Sequence, residues 1–287
     1  MKLPILAVSV RKLLRLGALA LVVGLMTLGG NQAQAALLCG AVLSTPGATT
    51  TLNHNLVCSG TDPAITIKAN NITLRCKDNA TLTGEGLGIF LDNVSGVTVR
   101  DCDIRGFSIG IYLKGSTENT LKKNKVTGST SRGSGGITLV KYSDGNKLLN
   151  NTANDNNGRG VALNRASNNE LKNNVASNNL FRGYGLSVSS NDNILKNNVA
   201  TNNLSAGFVV SGGSTGNEFK NNKSTGSEYE GFAVLSGGNI FQGNTANNNG
   251  TFGYRDSSAG GANNYTSPTS NLCVGNTLGC TSPPGLF

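Results

Sequence analysis

The 287-residue chain contains no tryptophan, two methionines and one histidine. Aromatic residues make up 5% and charged residues 14%. That is well below the roughly 25% charge of ordinary soluble domains. A core built on large rings is therefore not expected. Long apolar runs are also missing. The one candidate, Leu16 to Leu28, falls short of the ~20 residues that a spanning helix needs. Low charge with abundant Asn, Ser and Thr could indicate disorder, but regularly spaced Ile, Leu and Val argue against it. Glycine is plentiful at 39 residues, about twice its usual share. A Gly- and Asn-punctuated all-β chain fits this composition.

Residues 1–35 read as a leader. Lys2, Arg11, Lys12 and Arg15 precede the apolar run, and Ala33-Gln34-Ala35 is a small-x-small cleavage site before Ala36. Removing it takes four of the 24 basic residues and none of the 15 acidic ones, so the formal charge falls from +9 to +5. No membrane span is expected after cleavage, and a nucleic-acid role is poorly supported. All six cysteines follow Ala36, which suggests disulfides formed in an oxidising compartment. Six cysteines allow 15 pairings. The neighbour pairing Cys39–Cys58, Cys76–Cys102 and Cys273–Cys280 is the simplest.

A repeat organises the rest. One ladder runs through Gly88, Gly110, Gly136, Gly160, Gly185, Gly207, Gly231 and Gly253, in steps of 22 to 26 residues. A second passes through Asn119, Asn146, Asn169, Asn193, Asn217 and Asn239. A third passes through Asn124, Asn151, Asn174, Asn198, Asn222 and Asn244, with Cys102 one step earlier. Apolar residues alternate beside the glycines, as in Ile89 and Leu91 or Ile111 and Leu113. Period two means short strands with one buried face. The expected fold is an all-β, single-stranded parallel β-helix of about eight or nine coils, with 22–27 residues and three short strands per coil. Residues 36–63 form its N-terminal cap, 64–256 the helix, and 257–287 a C-terminal cap. The asparagine columns read as structure, through bends and coil-to-coil hydrogen bonds.

The Asn-x-Leu-x-Asn-Asn…Gly-Ile-x-Leu repeat resembles the right-handed parallel β-helix repeat of the pectin-lyase-like superfamily. It is most similar to the NosD-type, carbohydrate-binding and sugar-hydrolase repeats, over about residues 39 to 256. The resemblance implies a right-handed coil. It admits polysaccharide lyases, hydrolases, epimerases, a copper-processing protein and non-catalytic surface proteins.

The candidates for chemistry are sparse. Asp101, Asp103 and Arg105 form an Asp-x-Asp-x-Arg run. The repeat places Asp92 beside Lys114, Asp101 beside Lys123, Asp103 beside Lys125 and Lys147 beside Glu170, which reads as cross-coil ion pairing. His54 precedes the regular coils and has no obvious acidic partner. With few thioether, imidazole or thiol ligands left, neither a metal nor another cofactor is expected. Two surface features stand out. Arg75, Arg100, Lys122, Lys172, Lys196 and Lys220 occupy six of seven equivalent outward strand positions, interrupted by Leu149. Phe181, Arg182, Tyr184, Tyr229, Phe252, Tyr254 and Arg255 read as a loop cluster able to stack on sugars and pair with acidic groups. The expectation is an exported β-helix that binds an extended, anionic polysaccharide or cell-surface glycan without catalysis. A lyase or epimerase of uronic-acid polymers is the second reading, and a NosD-like metal-processing protein the third.

Overall fold

In a computed structural model, the described residues are 36–77, 79–259, 261–265 and 271–282. The leader expected over residues 1–35 lies outside them. Three parallel sheets of 11, 9 and 10 strands, here A, B and C, wind into a solenoid of about ten turns. One coil passes through Ile109–Lys114 in A, Thr120–Lys122 in B and Lys125–Thr127 in C. The extra turns lie at the ends. Ala41–Leu43, Thr49–Leu52 and Leu56–Cys58 already form a coil that stacks on the one beginning at Ile65–Ile67, and Gly279–Ser282 closes sheet A.

The bend from B to C takes two residues with a fixed division of labour. An outward residue adopts the left-handed conformation, as at Lys123, Asn150, Asn173 and Asn197, with φ between 54° and 57°. The next residue turns inward and joins the asparagine column. Each column asparagine donates its Nδ2 to the Oδ1 of the asparagine one coil on, as from Asn174 to Asn198 and from Asn198 to Asn222 (3.0 Å each). That Oδ1 also accepts a backbone N–H. A further column at the exit of sheet C, from Ser129 through Asn156, Asn179 and Asn203, repeats the arrangement. Buried amides thereby satisfy one another and the backbone at each bend.

The core changes character along the axis. Towards the N-terminus, inward residues are aliphatic on all sheets, with Ile89 and Ile111 in A, Val99 and Leu121 in B, and Ile104 and Val126 in C. Towards the C-terminus two aromatic stacks fill the lumen. Tyr184, Phe208, Phe232 and Tyr254 stack in sheet A at 4.7 to 4.8 Å. Phe219, Phe241 and Tyr265 stack alongside at 4.7 and 5.0 Å. The stacks meet edge to face, as at Phe208 and Phe219 (6.4 Å). Sheet C places the small Ala176, Ala200, Ser224 and Ala246 on these rungs, which leaves room for the rings.

This packing corrects two expectations. Tyr184 and Tyr254 are fully buried core residues, not members of a surface loop. Burial raises both phenol pKa values well above their usual range. The glycine ladder also runs through Gly183 rather than Gly185, because Val161 pairs with Tyr184 and Tyr184 with Phe208. A Cβ at residue 183 would lie 2.7 Å from the Gly207 carbonyl oxygen.

Three disulfides, Cys39–Cys58, Cys76–Cys102 and Cys273–Cys280, lie towards the two ends of the described solenoid. No described helix is long and apolar enough to cross a membrane.

Candidate functional site

Sheet B presents its basic residues in register. Arg75 pairs with Arg100, Arg100 with Lys122, Lys122 with Leu149, and Leu149 with Lys172. Lys172 pairs with Lys196 and Lys196 with Lys220, before the column ends at Gln242. Successive rungs are about 4.8 Å apart, so six cations line one edge of the face. Some are engaged locally. Arg75 donates Nε to Thr51 Oγ1 (2.9 Å), Arg100 pairs with Asp101 (3.1 Å), and Lys220 pairs with Glu218. Among the described residues, Lys122, Lys172 and Lys196 form no ion pair.

The catalytic candidates are held in structural roles. Asp101 occupies a left-handed bend position (φ 60°), equivalent to Lys123 one coil on. Asp103 accepts from Arg105 Nε (2.8 Å) and Nη2 (2.5 Å), with Lys125 Nζ 3.9 Å away. The Arg105 hydrogen bonds hold its carboxyl below the usual range, so Asp103 remains an anion and a poor proton donor. Asp92 pairs with Lys68 (3.7 Å), one coil before it, although it is in register with Lys114. The His54 Nδ1 lies 3.2 Å from the side-chain oxygen of the adjacent Asn53. Among the described residues, no three His, Cys, Asp or Glu side chains are grouped closely enough to hold a metal.

The loop cluster is rearranged rather than dissolved. Tyr229 is exposed, and Arg255 reaches Glu230 (3.1 Å). Phe181 and Phe252 are half-buried. Arg182 lies over the Phe181 ring at 4.6 Å and is joined there by Arg159 at 5.3 Å. Burial pushes the Arg182 guanidinium down to about 10, with Arg159 adding repulsion and Glu230 opposing it. Burial lowers Arg159 as well. Arg159 Nη1 donates to the Gly133 carbonyl oxygen (2.6 Å), while the Nε atoms of Arg159 and Arg182 are buried without a hydrogen-bond partner.

Residues 87–250 match the family model described as the right handed beta helix region. The chain belongs to the right-handed β-helix family. Solved structures similar to this β-helix include a mutant of the periplasmic alginate epimerase AlgG, at 17% identity and TM-score 0.63. That match covers 82% of this chain and 62% of the epimerase. A second AlgG mutant matches at 14% identity and TM-score 0.54, covering 80% of this chain and 79% of that one. The catalytic domain of a GH87 α-1,3-glucanase mutant, in complex with tetrasaccharides, matches at 15% identity and TM-score 0.57. Here 85% of this chain and 60% of the glucanase domain are covered. At such identities the likeness shows a shared fold. This β-helix thus spans less than two thirds of two of these neighbours. Comparison with curated protein sequences finds no match.

Two features of this β-helix escaped the sequence reading. Arg159 precedes Gly160 as Arg182 precedes Gly183, and in the corrected register they occupy successive rungs. On the outer face of sheet A, Phe90 and Tyr112 stack with centroids 5.5 Å apart. Their signal was the residue between the inward Ile and Leu of each strand.

Proposed function

We propose that this β-helix is exported and binds an extended, anionic polysaccharide along the outer face of sheet B, without catalysis. The in-register column of basic side chains carries the reading. Neighbouring lysines repel one another, and a polyanion laid along the column converts that repulsion into attraction. Rung spacing approximates one sugar unit of an extended chain, so successive uronates can face successive rungs. The printed descriptions of an alginate epimerase and a tetrasaccharide-bound glucanase among the structural neighbours support a glycan as the ligand class. The disulfides support an oxidising compartment.

The test is titration of the disulfide-intact protein with uronic-acid oligosaccharides and a neutral glycan, comparing wild type with a combined Lys172→Gln, Lys196→Gln and Lys220→Gln variant. Exposed pairs contribute about 0.2–1 kcal/mol each, so the triple change should weaken binding by roughly three- to 150-fold. Binding should also weaken as salt rises. Unchanged affinity in the folded triple variant at low salt would remove the reading. Release of an unsaturated uronate during the titration would replace binding alone with lyase chemistry.

A further inference from the structure

We propose that the outer face of sheet A carries a separate carboxylate-binding site, in which Arg159 and Arg182 hold the acidic group of a uronate against Phe181. Three observations converge on it. Two guanidinium groups sit on successive rungs over one aromatic ring. The nearby acid, Glu230, is engaged by Arg255 (3.1 Å). Both Nε atoms are buried without a hydrogen-bond partner, so the like-charged pair carries polar capacity that the protein itself leaves unmet. A carboxylate is the planar, two-oxygen anion that an arginine fork matches, and it neutralises the pair as it binds.

The floor of the site is shaped for this. A Cβ at residue 185 would lie 3.0 Å from Arg159 Cδ, so Gly185 lets that side chain lie flat across the sheet. Along the same outward column, the register passes from Gly185 through Ala162 and Thr138 to Tyr112 and Phe90. Three rungs, about 14 Å, separate Gly185 from Tyr112. Ala162 and Thr138 are themselves buried, so the outer face between the arginines and the Phe90–Tyr112 pair is covered, and the site is confined to the arginine pair. What the site can hold is therefore the carboxylate of one uronate at the arginine pair. The site shares its ligand class with the sheet B reading but none of its residues, so each can fail alone.

The experiment uses the disulfide-intact protein and hexamers of galacturonate, mannuronate and guluronate, with fully methyl-esterified hexagalacturonate as the uncharged control. Affinities are measured for wild type, Arg159→Gln/Arg182→Gln and the sheet B triple variant. At least one acidic hexamer should bind wild type. The double arginine variant should bind it at least tenfold more weakly, and the esterified hexamer should bind poorly throughout. The double variant should melt no lower than wild type, because the change removes a desolvated like-charge pair. If it does not fold, Arg182→Gln alone carries the same expectation at severalfold loss. The proposal is overturned if no acidic hexamer binds wild type, if the arginine variants bind within twofold of wild type, or if the esterified hexamer binds equally well. Loss confined to the sheet B variant would also overturn it while leaving the sheet B reading intact. Loss confined to the arginine variants would do the reverse.

Discussion

Asn198 offers a sharp test of what holds the coils together. Its Oδ1 accepts from the Asn174 backbone N–H (2.9 Å) and side-chain amide (3.0 Å). Its Nδ2 donates to the Leu171 carbonyl oxygen (2.8 Å) and to Asn222 Oδ1 (3.0 Å). Asn198→Ala removes all four contacts. The Asn222 oxygen keeps its bond from the residue 198 backbone N–H (2.9 Å). The Asn174 backbone N–H and one Asn174 amide hydrogen are left buried and unsatisfied, while the Leu171 carbonyl, in a strand paired with the next coil, loses only its side-chain donor. Each such group costs about 1–3 kcal/mol. Allowing for relaxation and non-additivity, the variant should lose about 2–5 kcal/mol, a fall in melting temperature of roughly 4–20 °C. The control is next door. Asn197 points outward at φ 55°, a conformation glycine adopts freely, so Asn197→Gly should stay within about 0.5 kcal/mol of wild type. Urea and thermal unfolding of the two variants, followed by circular dichroism, give the comparison. Equal stabilities, or an Asn198→Ala loss under about 1 kcal/mol, would refute the view that the buried ladder is an interlocked hydrogen-bond column.

Tyr184→Ala should cost about 3–5 kcal/mol, whereas Tyr229→Ala should be nearly neutral, because the first leaves a hole in a stacked core and the second truncates an exposed ring. Thermal melts of both variants distinguish a core tyrosine from a surface one. Asp103 has a folded pKa below its unfolded value near ~3.9, so its stabilising contribution is present above that value and fades as pH falls through the lower folded pKa. Asp103→Asn should remove that part of the acid dependence, at most about 1 kcal/mol for so exposed a pair, visible in melts from neutral to strongly acidic pH. Thiol titration of the unfolded, unreduced protein should find no free cysteine, and reducing Cys76–Cys102 should lower stability by about 2–4 kcal/mol.

What was legible in the sequence followed from the kind of repetition each feature has. Asn124, Asn151, Asn174, Asn198 and Asn222 stand at a constant offset from the apolar strand residue before them, because the B-to-C bend never changes length. The fold and the sheet B register therefore followed directly. The column of Asn156, Asn179 and Asn203 was hidden because serine replaces asparagine at Ser129 and Ser227, beside the C-to-A connections of varying length. Tyr184 was misplaced by a slip of two residues. Gly183 and Gly185 are both available to the ladder, and a two-residue shift preserves the inward–outward alternation, so hydrophobic pattern alone could not expose it. That slip also separated Arg182 from Arg159 and concealed the arginine pair. Tyr254 carried a sounder signal. It follows Gly253 as Ile89 follows Gly88, a position that faces the lumen.

On the two proposed readings, the faces of the solenoid would recognise glycan in different ways. Sheet B repeats a cation on six rungs between Arg75 and Lys220, mostly lysine heads or partly engaged arginines. No single rung is special, so binding there grows with the number of rungs covered and should favour long chains. Each contact is exposed and weak, which makes that binding steeply dependent on salt. The arginine pair on sheet A is confined to two adjacent rungs and gathers at the Phe181 ring. Its gain is complete once one carboxylate is seated, and burial blunts the effect of salt. Affinity that climbs with oligosaccharide length and collapses with salt therefore belongs to sheet B. Affinity that levels off after a few sugars and resists salt belongs to sheet A. The two faces can be separated by length and ionic strength before any residue is changed.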